Sequence, residues 1–118
     1  MVSDEYFKDQ KKRLEESKWL EDILSKDGCC LICGYNENPL ILEKHHIAGK
    51  HNSDLTITVC PNCHRELSKK QESWNKDWNK KNNPVNKRFA FILRGICDLF
   101  RVKSDYIKII SNKILNGE

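Results

Sequence analysis

The sequence predicts an α+β protein, in which a small strand–strand–helix core sits between an N-terminal amphipathic helix and a long C-terminal helix or helical hairpin. Three observations predict it. Helix-period apolar residues fill both ends of the chain, two short β-prone runs lie in the middle, and Cys-x-x-Cys steps at Cys30/Cys33 and Cys60/Cys63 bracket those runs. At 118 residues the chain fits one domain. Its expected parts are residues 1–28 as the N-terminal helix, 29–74 as the core, 75–87 as a basic Asn-rich linker and 88–118 as the C-terminal helical segment.

The elements follow in order. From Asp4 to Ser25, Phe7, Leu14, Leu20, Ile23 and Leu24 form one apolar stripe among charged residues, with no Pro or Gly to interrupt it. Asp27-Gly28 ends that helix, and Gly34 and Pro39 punctuate a knuckle-like loop over 29–40. Leu40, Ile41 and Leu42 then lead a first strand into His45-His46, and Leu55 to Val59, with its Thr-Ile-Thr alternation, supplies the second. Pro61 is placed as a first-turn proline, so a helix opens at Asn62 and carries Cys63, His64 and Leu67. After the Asn- and Pro-containing break, a heptad phase of Phe89, Leu93, Ile96, Phe100, Lys103, Ile107, Ile110 and Ile114 runs to the end. Ser104-Asp105 is the alternative cap that would divide this segment into a hairpin.

Composition narrows the function classes. Charged residues make up 32% and apolar ones 38%, and no apolar run approaches the roughly 20 residues that span a bilayer. The opening run is charged throughout and does not read as a secretory leader. Four of the six cysteines fall at metal-type spacing, which predicts a reducing, cytoplasmic setting. Net charge is only +4, but its distribution is uneven: Lys69 to Arg88 holds Lys69, Lys70, Lys76, Lys80, Lys81, Lys87 and Arg88 against Glu72 and Asp77. With Trp74 and Trp78 interleaved, the segment reads either as a track for a phosphate backbone or as a solvated face whose tryptophans cap the core.

Cys30, Cys33, Cys60 and Cys63 supply four thiolates, a closed tetrahedral set that suits a structural zinc. Cys29 is the alternative to Cys30, which is preferred because its spacing matches the second knuckle. Neighbouring residues on a helix point about 100° apart, so if Cys63 faces the zinc, His64 faces away from it, toward the hairpin that carries His45 and His46. Two sites are expected: a closed thiolate cage and, behind it, an open histidine pair suited to a divalent ion that also binds a phosphate oxygen. Alternation along a strand turns His45 and His46 to opposite faces, so both reach one cleft only if the backbone leaves strand geometry there; Ala48-Gly49 makes that departure plausible.

Cys30-Leu-Ile-Cys33-Gly34, His45-His46-Ile47, Asn52 and Cys60-Pro-Asn-Cys63-His64 together resemble the zinc-knuckle branch of the His-Asn-His (HNH) endonucleases. The resemblance spans roughly a third of the chain, from Cys29 to Ser68. It implies the ββα-metal fold and hydrolysis of DNA phosphodiester bonds. By the same resemblance His46 is the general base, His45 and His64 hold a catalytic ion such as Mg²⁺, and Asn52 braces the base through loop hydrogen bonds. Lys50, Lys69, Lys70, Lys76, Lys80 and Lys81 would then contact DNA. The family's last histidine is Ser68 here, leaving Glu66, His51 or water to complete the ion's shell, and its usual Asn-Leu reads Asp54-Leu55, so Asp54 competes with Asn52 for the bracing role. Two other readings share these residues: a non-catalytic zinc-ribbon module that binds nucleic acid, and an interaction module whose C-terminal heptads recruit a partner or a second copy.

Overall fold

The computed structural model describes residues 3–15 and 28–117. The first helix, α1, covers Asp4–Glu15. Its expected continuation to Ser25, with Leu20, Ile23 and Leu24, lies outside the described residues. Strands β1 (Glu43–His46) and β2 (Thr56–Val59) form an antiparallel pair, with Glu43 opposite Val59 and His46 opposite Thr56. Helix α2 (Pro61–Glu72) follows β2 directly, and helix α3 spans Val85–Leu115. The architecture is the expected α+β one, with α1 and α2 both packed on α3. Among the described residues, no helix is long and apolar enough to cross a membrane.

The long C-terminal helix forms as expected: α3 runs unbroken through Ser104-Asp105, the alternative hairpin cap, and no Gly or Pro lies between Ile96 and Asn116 to stop it. Two expectations need correction. Leu40 and Ile41 are not strand: Pro39–Ile41 is a 3₁₀ turn, because Pro39 sets the first helical φ and the Asn38 side chain accepts the Leu40 N–H at 3.2 Å. The second correction concerns which face of α3 is buried. Leu93 and Phe100 of the heptad phase are exposed, whereas Phe91, Ile92, Gly95, Ile96, Asp98 and Leu99 are buried.

Gly95 explains much of that rotation. A Cβ built on Gly95 would stand 1.8 Å from the carbonyl oxygen of Ile47, so α3 lies directly against the backbone that follows β1. Beside it, buried Asp98 accepts a 2.7 Å bond from the Trp74 indole, and the Trp74 ring stacks on Phe91 at 5.8 Å. Trp74 is thus core, held by α3, and has no free face to offer a base. One turn on, Lys103 Nζ donates to the carbonyls of Leu31 and Ile32 at 3.2 and 2.7 Å, tying the helix to the first cysteine knuckle. Around these ties Ile32, Ile47, Ile57, Val59, Leu67 and Ile92 close one continuous core.

The 75–87 stretch, expected as a basic Asn-rich linker, is held by hydrogen bonds of its own. Lys76–Asn79 forms a 3₁₀ turn, with the Asn75 side chain accepting the Asp77 N–H, and Asn83 is buried beneath it. The Asn83 amide donates to the Asp77 carbonyl at 2.8 Å and to Asn52 Oδ1 at 3.0 Å. Polar residues that read as a break in one dimension serve as buried hydrogen-bond partners in three.

Candidate functional site

The thiolate cluster is built by local rules. Cys60 is the N-cap of α2: its sulfur accepts the Cys63 N–H at 3.5 Å, and Pro61 fills the first-turn position that has no use for an N–H. The first knuckle repeats the device, with the Cys33 N–H pointing at Cys30 Sγ at 3.5 Å and the Gly34 N–H closing on the Cys30 carbonyl. Gly34 takes a left-handed φ of +77° to make that turn. A bond from the Leu31 N–H to the Thr58 carbonyl at 2.9 Å seats this knuckle on β2.

The four sulfurs of Cys30, Cys33, Cys60 and Cys63 consequently lie within 4.8 Å of one another, and among the described residues they are the group of three or more ligand atoms so placed. Cys33 and Cys60 sulfurs are 3.7 Å apart, against an edge of about 3.8 Å for a tetrahedron with Zn–S bonds of about 2.3 Å. Cys29 stands outside the cluster. Crowding splits the proton affinities: a hydrogen bond with Cys63 holds the Cys30 thiol down at about 4, the same bond pushes Cys63 up, and burial pushes Cys33 up. A donor set of sulfur alone, closely packed and mostly shielded, fits zinc.

The histidines gather on the other side of α2. His64 follows Cys63, and its ring meets that of His45 edge-on, with centroids 5.1 Å apart. Glu43 shares a strand face with His45, and its Oε1 lies 2.9 Å from His64 Nδ1. A carboxylate only accepts, so in this bond Nδ1 of His64 is the donor. His45 is 5% exposed, and burial first, then the neighbouring His64 and His46, lowers its pKa to about 4, leaving a neutral ring at pH 7.

His46, at the last position of β1, is exposed. The chain turns at once, with the Gly49 N–H bonding the His46 carbonyl and Gly49 at φ +86°. The departure from strand geometry expected at the histidine pair comes only after it: His45 and His46 are both paired in the ladder, opposite Ile57 and Thr56, and with His64 they still line one open cleft of about 300 Å³, together with Lys44, Lys50, Ser68 and Gln71. Gln71 fixes the corner by donating to the His46 carbonyl at 2.8 Å.

Asn52 is 2% exposed and fully engaged. Its amide donates to the carbonyls of Ala48 and Trp78, each at 2.7 Å, while its oxygen accepts from Asn83. It pins the loop after His46 to the 3₁₀ turn. Asp54, the competing candidate for that role, is exposed.

Of the six lysines expected to meet DNA, Lys50 lines the cleft. Lys69 pairs with Glu66 at 3.7 Å on the exposed side of α2. Lys76, Lys80 and Lys81 are exposed on or next to the 3₁₀ turn, where Asp77 draws in both Lys87 and Lys80 and is itself held down at about 2 by those two bonds. His51 lines a separate cavity with Lys50.

No protein-family model matches this chain, and no curated protein or solved structure matches it either. The ββα-like arrangement and the four-cysteine cluster therefore stand on their own geometry. The sequence reading missed Glu43, Lys44 and Gln71. Two of these carried a signal: Glu43 lies two residues before His45 on one strand face, and Gln71 lies seven after His64 on one helix face. Asn83 carried none, because the side chain it bonds, Asn52, is 31 residues away.

Proposed function

We propose that this protein is a metal-dependent DNA endonuclease of the HNH type, folded around a structural zinc and acting in the cytoplasm. The observation that carries the reading is the meeting of His45 and His64 beside exposed His46, in an open cleft separate from the thiolate cluster.

His45 and His64 are the residues that would hold the catalytic ion, with Glu43 orienting His64. Such an ion, when bound, neutralises charge on the scissile phosphate and stabilises the leaving oxygen. His46 takes a proton from the attacking water as the water oxygen bonds to phosphorus; the P–O bond to the sugar oxygen breaks, and that oxygen leaves with a solvent proton. Asn52 and Gln71 keep the His46 backbone in place through the loop and the corner carbonyl. Lys50, with Lys69, Lys70, Lys76, Lys80 and Lys81 along the flank, holds the strand by charge.

A nicking assay on supercoiled plasmid with Mg²⁺, Mn²⁺ or Ni²⁺ tests this. Wild-type protein should convert the plasmid and His46→Ala should not. Wild type that binds the plasmid yet nicks it with none of these ions would leave the zinc-module reading in its place.

A second reading, self-association through α3, is favoured by the exposed stripe Ile107, Ile110 and Ile114 near its end. Sedimentation of wild type against an Ile107→Lys, Ile114→Lys variant tests it, with a loss of dimer expected.

A further inference from the structure

A second cavity, of about 350 Å³, opens beside the histidine cleft, between α1, the loop over 47–55 and the first turn of α3. Its wall is cationic. Lys11 enters from α1, Lys50 and His51 from the loop and Arg88 from α3, against one carboxylate, Asp54. Asn52 forms part of the floor, but both its N–H groups already donate, to Ala48 and Trp78, so it has no donor left for an anion.

Arg88 is the informative residue. Among the described residues, its Nε is a buried side-chain nitrogen with no hydrogen-bond partner. Burying a guanidinium N–H without an acceptor is costly, and an acceptor supplied at this site would offset that cost. Arg presents a planar fork of donors that matches phosphate oxygens two at a time, where Lys acts as a point charge. Lys50 lines both this cavity and the histidine cleft, so a single strand can occupy the two at once.

We propose that this cavity is a phosphate subsite for the DNA strand, with Arg88 as its main donor and Lys11 and Lys50 as flanking charges, holding a phosphodiester next to the one in the histidine cleft. The proposal rests on the endonuclease reading for its ligand. Its contribution is to binding and register, and the bond-breaking step does not pass through it.

The test is binding of a labelled DNA duplex by wild type, Arg88→Gln, Lys11→Gln and His46→Ala, without added divalent ion and across a salt series. Arg88→Gln should bind about tenfold more weakly near 0.1 M salt, and its plot of log affinity against log salt should flatten by about one unit. Lys11→Gln, on a surface helix, should flatten the plot in the same direction and carries the test if Arg88→Gln fails to keep its zinc and its melting temperature. Wild-type affinity and slope in both Arg88→Gln and Lys11→Gln overturn the subsite, even if His46→Ala has lost nicking. If His46→Ala still nicks while Arg88→Gln binds weakly, the catalytic reading fails and the subsite stands. A wild type that binds no DNA overturns both.

Discussion

The two faces of α2 differ in what they ask of their side chains. On the Cys63 face, four sulfurs converge to within 4.8 Å of one another, and the Cys33–Cys60 pair is already at the edge length of a zinc tetrahedron. On the His64 face, two rings meet edge-on, a carboxylate orients one of them, and the remaining side is cleft. One residue along the helix separates a closed site from an open one. Saturation makes a brace, and incomplete coordination leaves room for a ligand; a single helix can present both because consecutive side chains diverge by about 100°.

The sharpest way to break this contrast is at the sulfurs. Cys63→Ser should remove the cooperative thermal transition altogether, since structural zinc is worth about 10–16 kcal/mol in small domains, as much as a domain's whole stability. Circular dichroism with and without a strong chelator checks it. A cooperative melt equal to wild type's would show that the cluster is not a brace.

Next comes His46→Ala, expected to cut plasmid nicking by about 10²- to 10⁴-fold while zinc content and melting temperature stay unchanged. Glu43→Gln should follow, weakening ion binding at the histidines by about 10- to 100-fold, because His64 loses the group that sets its tautomer. Calorimetric titration with Mn²⁺ measures it, and zinc content should not move.

Ser68→His sharpens the contrast from the other side. Ser68 lies four residues after His64 and lines the same cleft, so an added imidazole should tighten Mn²⁺ binding. Unchanged affinity would mean that the cleft is not shaped around an ion at that point.

The smallest effect is on protons. Without added divalent ion, the His45 ring should titrate near 4, and NMR at about pH 6 should find it neutral. Its folded pKa lies below the unfolded value, so the unfolded chain takes up the proton first. The stability tied to the neutral ring is present above about 6.5 and is lost as pH falls toward 4.

What the sequence revealed follows the range of the interactions. The cysteine pairs, the strand order and the turn of His64 away from Cys63 are set by spacing along a few residues, and all were legible. The buried face of α3 was not. Its contacts use Gly95 for close approach, Asp98 as acceptor for Trp74 and Lys103 as donor to two knuckle carbonyls, so residues that score as spacer or polar occupy the core side. Exposed Leu93 and Phe100 meanwhile imitate a seam. Lys69 to Arg88 was ambiguous for the same reason: whether its tryptophans stack or pack depends on Phe91 and Asp98, far along the chain.

The contact between Gly95 and the Ile47 carbonyl has one more consequence. In a library of every substitution at every position, most buried sites would rank replacements by size or polarity. Position 95 should instead give a flat profile, with alanine nearly as damaging as tryptophan, because the first carbon added already collides with a main chain that has nowhere to retreat.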